Sequence, residues 1–413
     1  MDKMKILMVS DTYPPITGGL GRHVQLLSRE LIKKGHEVVV FTVCYPDLPE
    51  YEEKAGVKSY RSQGFFQRSP FLYKDVNNKK PAPICDWLIS KKLKQVIKDE
   101  KPDIVHAHGW IIYSVLPLKK ELEIPLAATL HDYGLICPKT TLLRENTICN
   151  EPFTSKCLNC GKSQYGVVKS LATYLGIKMN KVKLNKVDKF IAGSTFAKNV
   201  YSQYSELNNK DIAIIPNFYT IEPGYENQVN ERLPKDFILF VGALMPDKGV
   251  DILIKAYLKQ KTETKLVLIG ARHPEYDYKK TENIWIIENA SRELLMDAYQ
   301  RCQFAVFPSM LFETCSMVAL EAMSHKKAII VSDRGGFPDI VEDQVTGILV
   351  LPHNLTALSD ALTYLFANPN TANAMGYKGY DRWWHNFSPE VIVPKIESLY
   401  KSLMHDNHTT TVI

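Results

Sequence analysis

Two glutamates eight positions apart, Glu313 and Glu321, lie in the stretch of this sequence best suited to bind a polar ligand. The stretch reads FETCSMVALE, and its apolar residues have helical spacing. A helix over all eight positions would separate the two carboxylates by about 12 Å. The unpaired N–H groups at its start, near 314–317, would bind a phosphate. In the alternative interpretation, Glu313 is an acid favoured by the helix dipole and Glu321 is a solvated or paired side chain.

Further candidate residues follow predicted strands at two other places. Gly18 and Gly19 come after the apolar run KILMVS and open a helix, where glycine lets the backbone approach a phosphate closely. Lys248 follows the strand FILFV at the entry of a helix, where it either holds a diphosphate or is a solvated turn lysine. The sequence contains no GxGxxG fingerprint, P-loop or Asp-x-Asp motif. It therefore argues against a dehydrogenase and does not indicate a metal-held diphosphate.

The order of elements that would position these residues predicts an α/β protein. Strand, glycine loop, helix and strand open the chain, and a second alternating series begins at FILFV. We expect two Rossmann-like doubly wound parallel-sheet domains facing a central cleft. The expected parts are a first domain over 1–218, a linker over 219–236, a second domain over 237–385, and a C-terminal helix over 386–405 packing back toward the first domain. Residues 45–83 lack a clean period, so irregular structure is predicted there.

Length and composition describe a globular chain of about two domains. The 413 residues are 45% hydrophobic and 23% charged, with a net charge of +6, which suits phosphate-bearing or anionic-surface partners rather than nucleic acid. No apolar run reaches the roughly 18 residues of a membrane span. The N-terminal MDKMKILMVSD predicts a strand rather than a signal peptide, so we expect a cytoplasmic protein with reduced cysteines.

Five motifs along the chain carry a family resemblance. They are PPITGGLGRHV, DIVHAHGW, TLHDYGLICP, FVGALMPDKGVDILIKA and FETCSMVALEAMSHKKAIIVSDRGGFPDIVEDQVTGILV. In this order they strongly resemble the family 4 retaining glycosyltransferases, which have the two-domain GT-B fold. The resemblance covers nearly the whole chain. It implies that 1–218 is the acceptor-side domain and that 237–385 is the nucleotide-sugar-binding domain. The stretch with the two glutamates is its more specific part, and the glycine loop is less specific.

The resemblance implies roles for the residues of that stretch. Glu321 would hydrogen-bond the ribose of a nucleotide sugar, and Glu313 would contact hydroxyls of the donor sugar. The diphosphate would meet backbone amides near three residues, Cys315, Ser316 and Met317.

The resemblance also implies roles for residues outside it. Lys248 would neutralise the diphosphate, Gly19 would face it from the first domain, and His131 would lie near the reacting sugar. Lys248, Glu313 and His131 are therefore the expected catalytic residues. No protein nucleophile or general base is assigned.

One position departs from the family pattern. Many relatives carry arginine where this sequence has Ala243. The missing guanidinium would weaken stabilisation of the leaving group, where one donor can contribute roughly a hundredfold in rate. Arg22 and Arg272 are the candidate replacements.

The expected function is metal-independent transfer of a sugar, with retained anomeric configuration, from a nucleotide-diphosphate sugar. A UDP-sugar is favoured and a GDP-sugar is the next candidate. The acceptor would be a glycan or a lipid-linked glycan in polysaccharide or glycolipid synthesis. Two alternatives stay open: a non-catalytic nucleotide-sugar or glycan-binding partner of another transferase, and another GT-B activity such as an epimerase or phosphorylase.

Four cysteines cluster within 24 residues, and the last two form the knuckle-like CLNC. They are Cys137, Cys149, Cys157 and Cys160. Four thiols in a reduced compartment suit a tetrahedral structural zinc, although their spacing is irregular. Free buried thiols and redox-linked disulfides are the alternatives. A zinc here would brace the loop after His131 rather than act in catalysis.

The stretch 166–189 has a helical pattern and many lysines. They are Lys169, Lys178, Lys181, Lys183, Lys186 and Lys189. A solvated helix face is the simpler interpretation. The alternative is contact with an anionic membrane, to which each lysine would contribute about 1 kcal/mol of binding free energy. This alternative would fit a lipid-linked acceptor. It would place the protein peripherally on the inner face of the membrane.

Overall fold

The computed structural model describes most of the chain. The described residues are 3–16, 18–45, 48–65, 67–69, 81–144, 147–150, 154–204, 207, 210–221, 231–273 and 275–410. Part of the segment expected to be irregular, 70–80, and most of the expected linker, 222–230, lie outside them. The chain divides into two compact units. Unit 1 comprises Met1–Pro216 with Ile392–Ile413, and unit 2 comprises Asn217–Val391.

The described residues form short strands and longer helices in alternation. The strands are β1 (Lys5–Ser10), β2 (Glu37–Val43), β3 (Tyr51–Lys54), β4 (Val57–Ser62), β5 (Ile104–His108), β6 (Leu126–Leu130), β7 (Leu143–Arg144), β8 (Thr147–Ile148), β9 (Lys189–Ala192), β10 (Ile212–Ile214), β11 (Phe237–Val241), β12 (Lys265–Ile269), β13 (Ile284–Ile287), β14 (Ala305–Phe307), β15 (Ile329–Ser332) and β16 (Gly347–Val350). The helices are α1 (Gly19–Lys33), α2 (Trp87–Glu100), α3 (Ile112–Leu122), α4 (Lys156–Asn180), α5 (Thr195–Tyr204), α6 (Val250–Tyr257), α7 (Arg292–Arg301), α8 (Met317–Ser324), α9 (Phe337–Ile340), α10 (Leu355–Ala367), α11 (Pro369–Phe387) and α12 (Pro389–Thr410).

Unit 1 is built on an eight-stranded sheet in the order β10-β9-β6-β5-β1-β2-β4-β3. Every pair in it is parallel except β3 with β4. The central strands are fully buried, as the continuous apolar run KILMVS predicts for a sheet covered on both faces. The sheet order places β1 between β2 and β5, with β6 beyond β5, so the loops after β1, β5 and β6 meet at one edge.

One local prediction in unit 1 is wrong, and another is confirmed in part. Part of 45–83 is a hairpin, β3 and β4, rather than irregular structure. Its period is hidden because β3 is largely exposed and the buried positions of β4 include the polar Ser59 and Arg61. Helix α4 begins at Lys156, but its backbone leaves helical geometry at Gly166, so a kink coincides with the predicted start of the lysine-rich helix. It ends at Asn180, and a 3-10 turn, Lys181–Lys186, follows.

Unit 2 is built on a six-stranded, wholly parallel sheet in the order β13-β12-β11-β14-β15-β16. The Asn354 side chain caps α10, since it accepts a hydrogen bond from the Ala357 N–H at 2.9 Å. Helix α11 was not predicted as a separate element. Because β11 and β14 are neighbours, the loops that follow them lie side by side.

A search of the described part of the chain for a membrane span found no helix with the necessary length and apolar character.

Candidate active site

The expected catalytic residues of unit 2 form an ion pair. The Lys248 ammonium donates a hydrogen bond to Oε1 of Glu313 at 2.6 Å, although the residues are 65 positions apart. Ser309 Oγ donates to the same oxygen at 3.0 Å. Both charged side chains are partly exposed, at 30% for Lys248 and 22% for Glu313, so a ligand can reach them. The adjacency of β11 and β14 explains the pairing, because each residue follows one of these strands.

A close backbone approach fixes the turn that carries Lys248. The 3-10 turn Pro246–Lys248 ends at Gly249, whose φ is +79°. A Cβ at Gly249 would lie 1.9 Å from the Pro308 carbonyl oxygen, so only glycine fits. The Met310 N–H donates to the Asp247 carbonyl at 2.9 Å and completes the junction between the two loops.

Glu313 lies in a loop before α8 rather than in the helix. Helix α8 begins at Met317, so the stretch is not helical throughout. The Gly336 N–H donates to the Glu313 carbonyl at 2.6 Å. A Cβ on Gly335, whose φ is +62°, would lie 2.6 Å from that carbonyl oxygen. The glycines after β15 therefore hold the backbone of Glu313 in place.

Glu321 lies inside α8 and is 5% exposed. Its carboxylate accepts hydrogen bonds from Arg292 Nη1 at 3.1 Å and from the Tyr299 hydroxyl at 2.9 Å. Burial, with the adjacent Glu321 charge next, raises the pKa of Tyr299 well above its usual value, so the phenol stays a donor. The paired state anticipated in the alternative interpretation is present, and the contact of Glu321 with a ribose stays a prediction.

The residues expected to offer amides to a diphosphate lie at the start of α8. Cys315 and Ser316 are buried, and Ser316 occupies the N-cap position before Met317. The Asn217 side chain donates to the Cys315 carbonyl at 2.9 Å and is itself 7% exposed. Burial raises the pKa of the Cys315 thiol to about 12, so this cysteine stays protonated and does not offer a thiolate.

Arg272 lies next to Ala243, where the family pattern led us to expect an arginine. Ala243 immediately precedes Leu244, which forms a parallel bridge with Arg272. The Arg272 guanidinium pairs with Glu288 at 3.0 Å and with Asp277 at 3.4 Å. Arg22, the other candidate, belongs to unit 1 and donates to the Gln25 side chain at 2.8 Å.

The glycine loop of unit 1 ends at the start of α1. Gly18 has a φ of +145°, and Gly19 is the first helical residue. The Arg22 N–H donates to the Gly18 carbonyl at 3.0 Å. The predicted strand, loop and helix are confirmed, whereas the phosphate contact of these glycines stays a prediction.

A cluster of histidines lies at the carboxyl-terminal edge of the unit 1 sheet. Its members are His23, His106, His108 and His131. His108 Nδ1 lies 2.8 Å from His131 Nε2, so one of the two nitrogens donates to the other. His106 contacts the Tyr400 hydroxyl at 2.6 Å and Thr129 Oγ1 at 2.7 Å. The expected catalytic His131 is therefore held by a neighbour for which the sequence predicted no role.

Burial keeps this cluster neutral. Desolvation lowers the pKa of His23 to about 4 and of His106 to about 3. It also lowers the pKa of His108 and His131 well below the ordinary value, with neighbouring histidines contributing. A neutral His131 can accept or donate a hydrogen bond near neutral pH without carrying charge.

The four cysteines line one cavity of unit 1. Its walls include Cys137, Cys149, Cys157 and Cys160, together with the basic Arg144 and Lys156. All four are free thiols, and the predicted knuckle is wrong, because Cys157 and Cys160 lie at the start of helix α4. Across the described ranges, no group of three or more His, Cys, Asp or Glu side chains is arranged to hold a metal ion. Zinc binding therefore stays a prediction.

The sequence did not identify the residues that hold the site. Ser309, Arg292 and Tyr299 orient the two carboxylates, and Asn217 holds the loop before α8. Their spacing from the glutamates follows no short motif.

Two family models together match most of the chain. The model for Glycosyltransferase Family 4 matches residues 17–222, and the model for Glycosyl transferases group 1 matches residues 223–382. An uncharacterized glycosyltransferase of Methanocaldococcus jannaschii is 27% identical over 419 residues, which cover 94% of this chain and 97% of that protein.

Solved structures of similar fold extend over nearly the whole chain. Sucrose-phosphate synthase from Thermosynechococcus elongatus superposes with a TM-score of 0.77 at 20% identity, covering 98% of this chain and 100% of that one. Anabaena HepE in complex with UDP and glucose superposes with a TM-score of 0.68 at 17% identity, covering 97% and 100%. The chain belongs to the family 4 glycosyltransferases and has the GT-B fold.

Proposed function

We propose that this chain transfers a sugar from a nucleotide-diphosphate donor to a glycan or lipid-linked acceptor with retention of anomeric configuration. A uridine diphosphate donor is favoured, because the structurally similar HepE was solved with UDP and glucose, and a GDP-sugar is the next candidate. Unit 2 would bind the donor, and unit 1 would bind the acceptor. The observation that carries the proposal is the partly exposed pair of Lys248 and Glu313 beside α8.

The pair provides opposite charges for the two parts of a donor. An ammonium group has three N–H donors, and Glu313 uses one of them. The others would meet diphosphate oxygens together with the N–H groups at the start of α8. Both side-chain hydrogen bonds of Glu313 involve Oε1, and within the described residues Oε2 accepts no hydrogen bond. Oε2 would accept from a hydroxyl of the donor sugar, while Lys248 reduces the repulsion between the carboxylate and the diphosphate.

The leaving nucleotide needs stabilisation as the glycosidic bond breaks. Lys248 would supply it directly, and we propose that Arg272 supplies the guanidinium missing at Ala243. Arg272 would have to exchange its pairing with Asp277 and Glu288 for the diphosphate. No metal is assigned to this step. If transfer is unchanged in excess chelator, metal independence is supported, and a loss that Mg²⁺ restores would contradict it.

A nucleotide-release assay tests the proposal. Uridine, guanosine and adenosine diphospho-sugars are screened with glycan and lipid-linked acceptors, and the anomeric configuration of the product is determined by NMR. Transfer with retention supports the proposal, and inversion contradicts the mechanism. Donor binding without transfer would favour the alternative of a non-catalytic partner. Ala243 is the reason for this alternative, because it lacks the guanidinium expected to stabilise the leaving group.

We also keep a structural zinc at the four cysteines as a proposal separate from catalysis. Their common cavity supports it, whereas the basic Arg144 and Lys156 on its wall oppose a cation. Burial raises the pKa of Cys137 to about 12, and a bound zinc would have to deprotonate this thiol. Elemental analysis of the purified chain should give about one zinc per chain. If the purified protein contains no zinc and is fully active, the zinc proposal is contradicted.

A further inference from the structure

Helix α4 after Gly166, with the 3-10 turn that follows, exposes a stripe of apolar side chains. The stripe consists of Val167, Val168, Leu171, Leu175, Met179 and Val182, and their exposed fractions run from 42% to 73%. Their spacing of three or four residues after Val168 places them on one side of the helix. Scattered exposed apolar residues are ordinary, but six on one face of a single element are not.

The opposite side of this element is anchored in unit 1, so its orientation is fixed. Gly176 packs so closely that a Cβ there would lie 2.6 Å from the Ile84 side chain and 2.8 Å from the Pro83 carbonyl oxygen. The Asn180 side chain donates to the same carbonyl at 3.3 Å. Ile177 and Leu184 are nearly fully buried on this side. The apolar stripe is therefore the outer face of a docked helix.

The charge around the stripe has one sign. Residues 154–187 contain seven lysines and neither aspartate nor glutamate, a net charge of +7. Since the whole chain carries +6, the remaining residues sum to −1. Lys178, Lys183 and Lys186 are exposed on the outer side, toward the C-terminal end of the stripe. The segment that carries the apolar stripe is therefore strongly positive, whereas the rest of the chain is nearly neutral.

We propose that this outer face, from Val167 to Lys186, is the surface by which the protein lies on a membrane that bears anionic headgroups. Apolar side chains from an in-plane helix enter the headgroup region, and lysines at its edge pair with lipid phosphates. A second copy of the chain fits less well, because two such faces would bring like charges together. An acidic protein groove would also satisfy the lysines, and wild-type protein that does not float with anionic vesicles would leave it as the alternative.

The inference rests on the proposed function, because a lipid-linked acceptor gives membrane contact its purpose. Its test contains no donor or acceptor. If the protein does not bind vesicles, the proposed transfer reaction is not contradicted. If the protein does not transfer a sugar, vesicle binding can still be measured.

Flotation with vesicles of phosphatidylcholine, alone or mixed with phosphatidylglycerol, measures the contact. We expect the full chain to float with the mixed vesicles and to be released by high salt. Replacing Leu171, Leu175 and Met179 together by serine should lower the partition coefficient at least about tenfold, because three apolar side chains lose their burial. The control, L258S with L351S, replaces two leucines of unit 2 that are more exposed than Leu171 and Leu175, and it should leave flotation unchanged.

A second set of variants separates charge from apolar insertion. Replacing Lys178, Lys183 and Lys186 by glutamine should lower binding to the mixed vesicles about fivefold per lysine at low salt. K91Q with K92Q, on the exposed side of α2, is the control for lost charge elsewhere. Circular dichroism should show the same melting temperature for every variant, since all the replaced side chains are exposed.

Three results would overturn the inference. The first is wild-type protein that does not float with anionic vesicles. The second is an equal loss of flotation in the serine variant and in its control. The third is a wild-type protein that is dimeric, a serine variant that is monomeric, and no flotation of either protein. The face would then be an interface between two copies of the chain.

Discussion

The candidate site in unit 2 and the histidine cluster in unit 1 lie at equivalent places in their sheets but handle charge in opposite ways. In unit 2, Lys248 and Glu313 form an ion pair, and both side chains are partly exposed. In unit 1, burial lowers the pKa of each clustered histidine, so the rings are neutral. Charges exposed to solvent can be redirected to a ligand at little cost to stability, whereas buried neutral rings contribute shape and hydrogen bonds.

This difference separates the expected consequences of mutation and of pH. Changing a charge in unit 2 should affect turnover far more than folding. Adding charge to unit 1 by lowering the pH should affect folding directly, because the buried rings resist protonation.

The largest expected effect is that of K248A on turnover. Removing the ammonium takes away one preorganised donor to the diphosphate, and the rate should fall at least about a hundredfold. Because Lys248 is partly exposed, the free energy of unfolding should change by no more than about 1 kcal/mol. Nucleotide release and urea denaturation measure the two quantities. K259A, which removes an exposed lysine after α6, is the control for both. An unchanged turnover rate in K248A would contradict the role of this lysine in stabilising the diphosphate.

The next effect is steric and tests whether the turn that carries Lys248 is rigid. G249A adds a Cβ at φ +79° and 1.9 Å from the Pro308 carbonyl oxygen. Strain and clash together should cost about 3 kcal/mol of stability, with loss of activity. Gly35 also has a positive φ, +93°, but a Cβ there meets nothing within 4 Å. G35A should therefore cost only about 1 kcal/mol. Equal losses in the two variants would show that the approach to Pro308 does not constrain the turn.

Much of unit 2 could be predicted because its elements are regular and its motifs follow strands. The strand before Lys248 and the one before Glu313 both read as short buried runs, and parallel strands place their following loops at one edge. The start of α8 could not be derived, since three residues after Glu313 stay non-helical while Gly335 and Gly336 hold its backbone. These contacts join residues more than twenty positions apart, and no local pattern encodes them.

The histidine cluster shows where sequence reasoning stops. His108 lies at the end of β5, His131 follows β6, and only the register of the two strands brings their nitrogens within 2.8 Å. His106 joins them because residues two apart on a strand share a face. His23 comes from α1. Each histidine alone resembles an ordinary core residue, so their common environment becomes visible only in three dimensions.

Lowering the pH should destabilise the protein through the histidines before it affects the acids. A histidine whose folded pKa lies below its unfolded value of about 6.5 binds fewer protons when folded, so stability falls as pH falls through 6.5. With a folded pKa of about 4 for His23, the loss between pH 6.5 and pH 5 is about 2 kcal/mol for this one residue. Lowered carboxylate pKa values, as at Glu397, act only below pH 4.5.

Urea denaturation between pH 7.5 and pH 5 measures this loss. H23F keeps a ring in the buried position but cannot be protonated, so its stability should fall less steeply by about the amount assigned to His23. Wild-type stability that is equal at pH 7.5 and pH 5 would contradict the neutral cluster. It would also remove the contrast with unit 2.

The smallest effect asks whether unit 2 also depends on neutral hydrogen bonds. N217A removes the donor to the Cys315 carbonyl, which is bonded at 2.9 Å in the buried loop before α8. Leaving that carbonyl unsatisfied should cost about 1 kcal/mol of stability. It should also raise the donor KM a few fold, because the N–H groups at the start of α8 lose their fixed position. N373A, at an exposed position of α11, is the control and should be neutral or slightly stabilising. If N217A matches N373A in both stability and donor KM, the glycine contacts and the ion pair of Lys248 with Glu313 hold the loop without Asn217. Unit 2 would then depend less on neutral hydrogen bonds than unit 1 does.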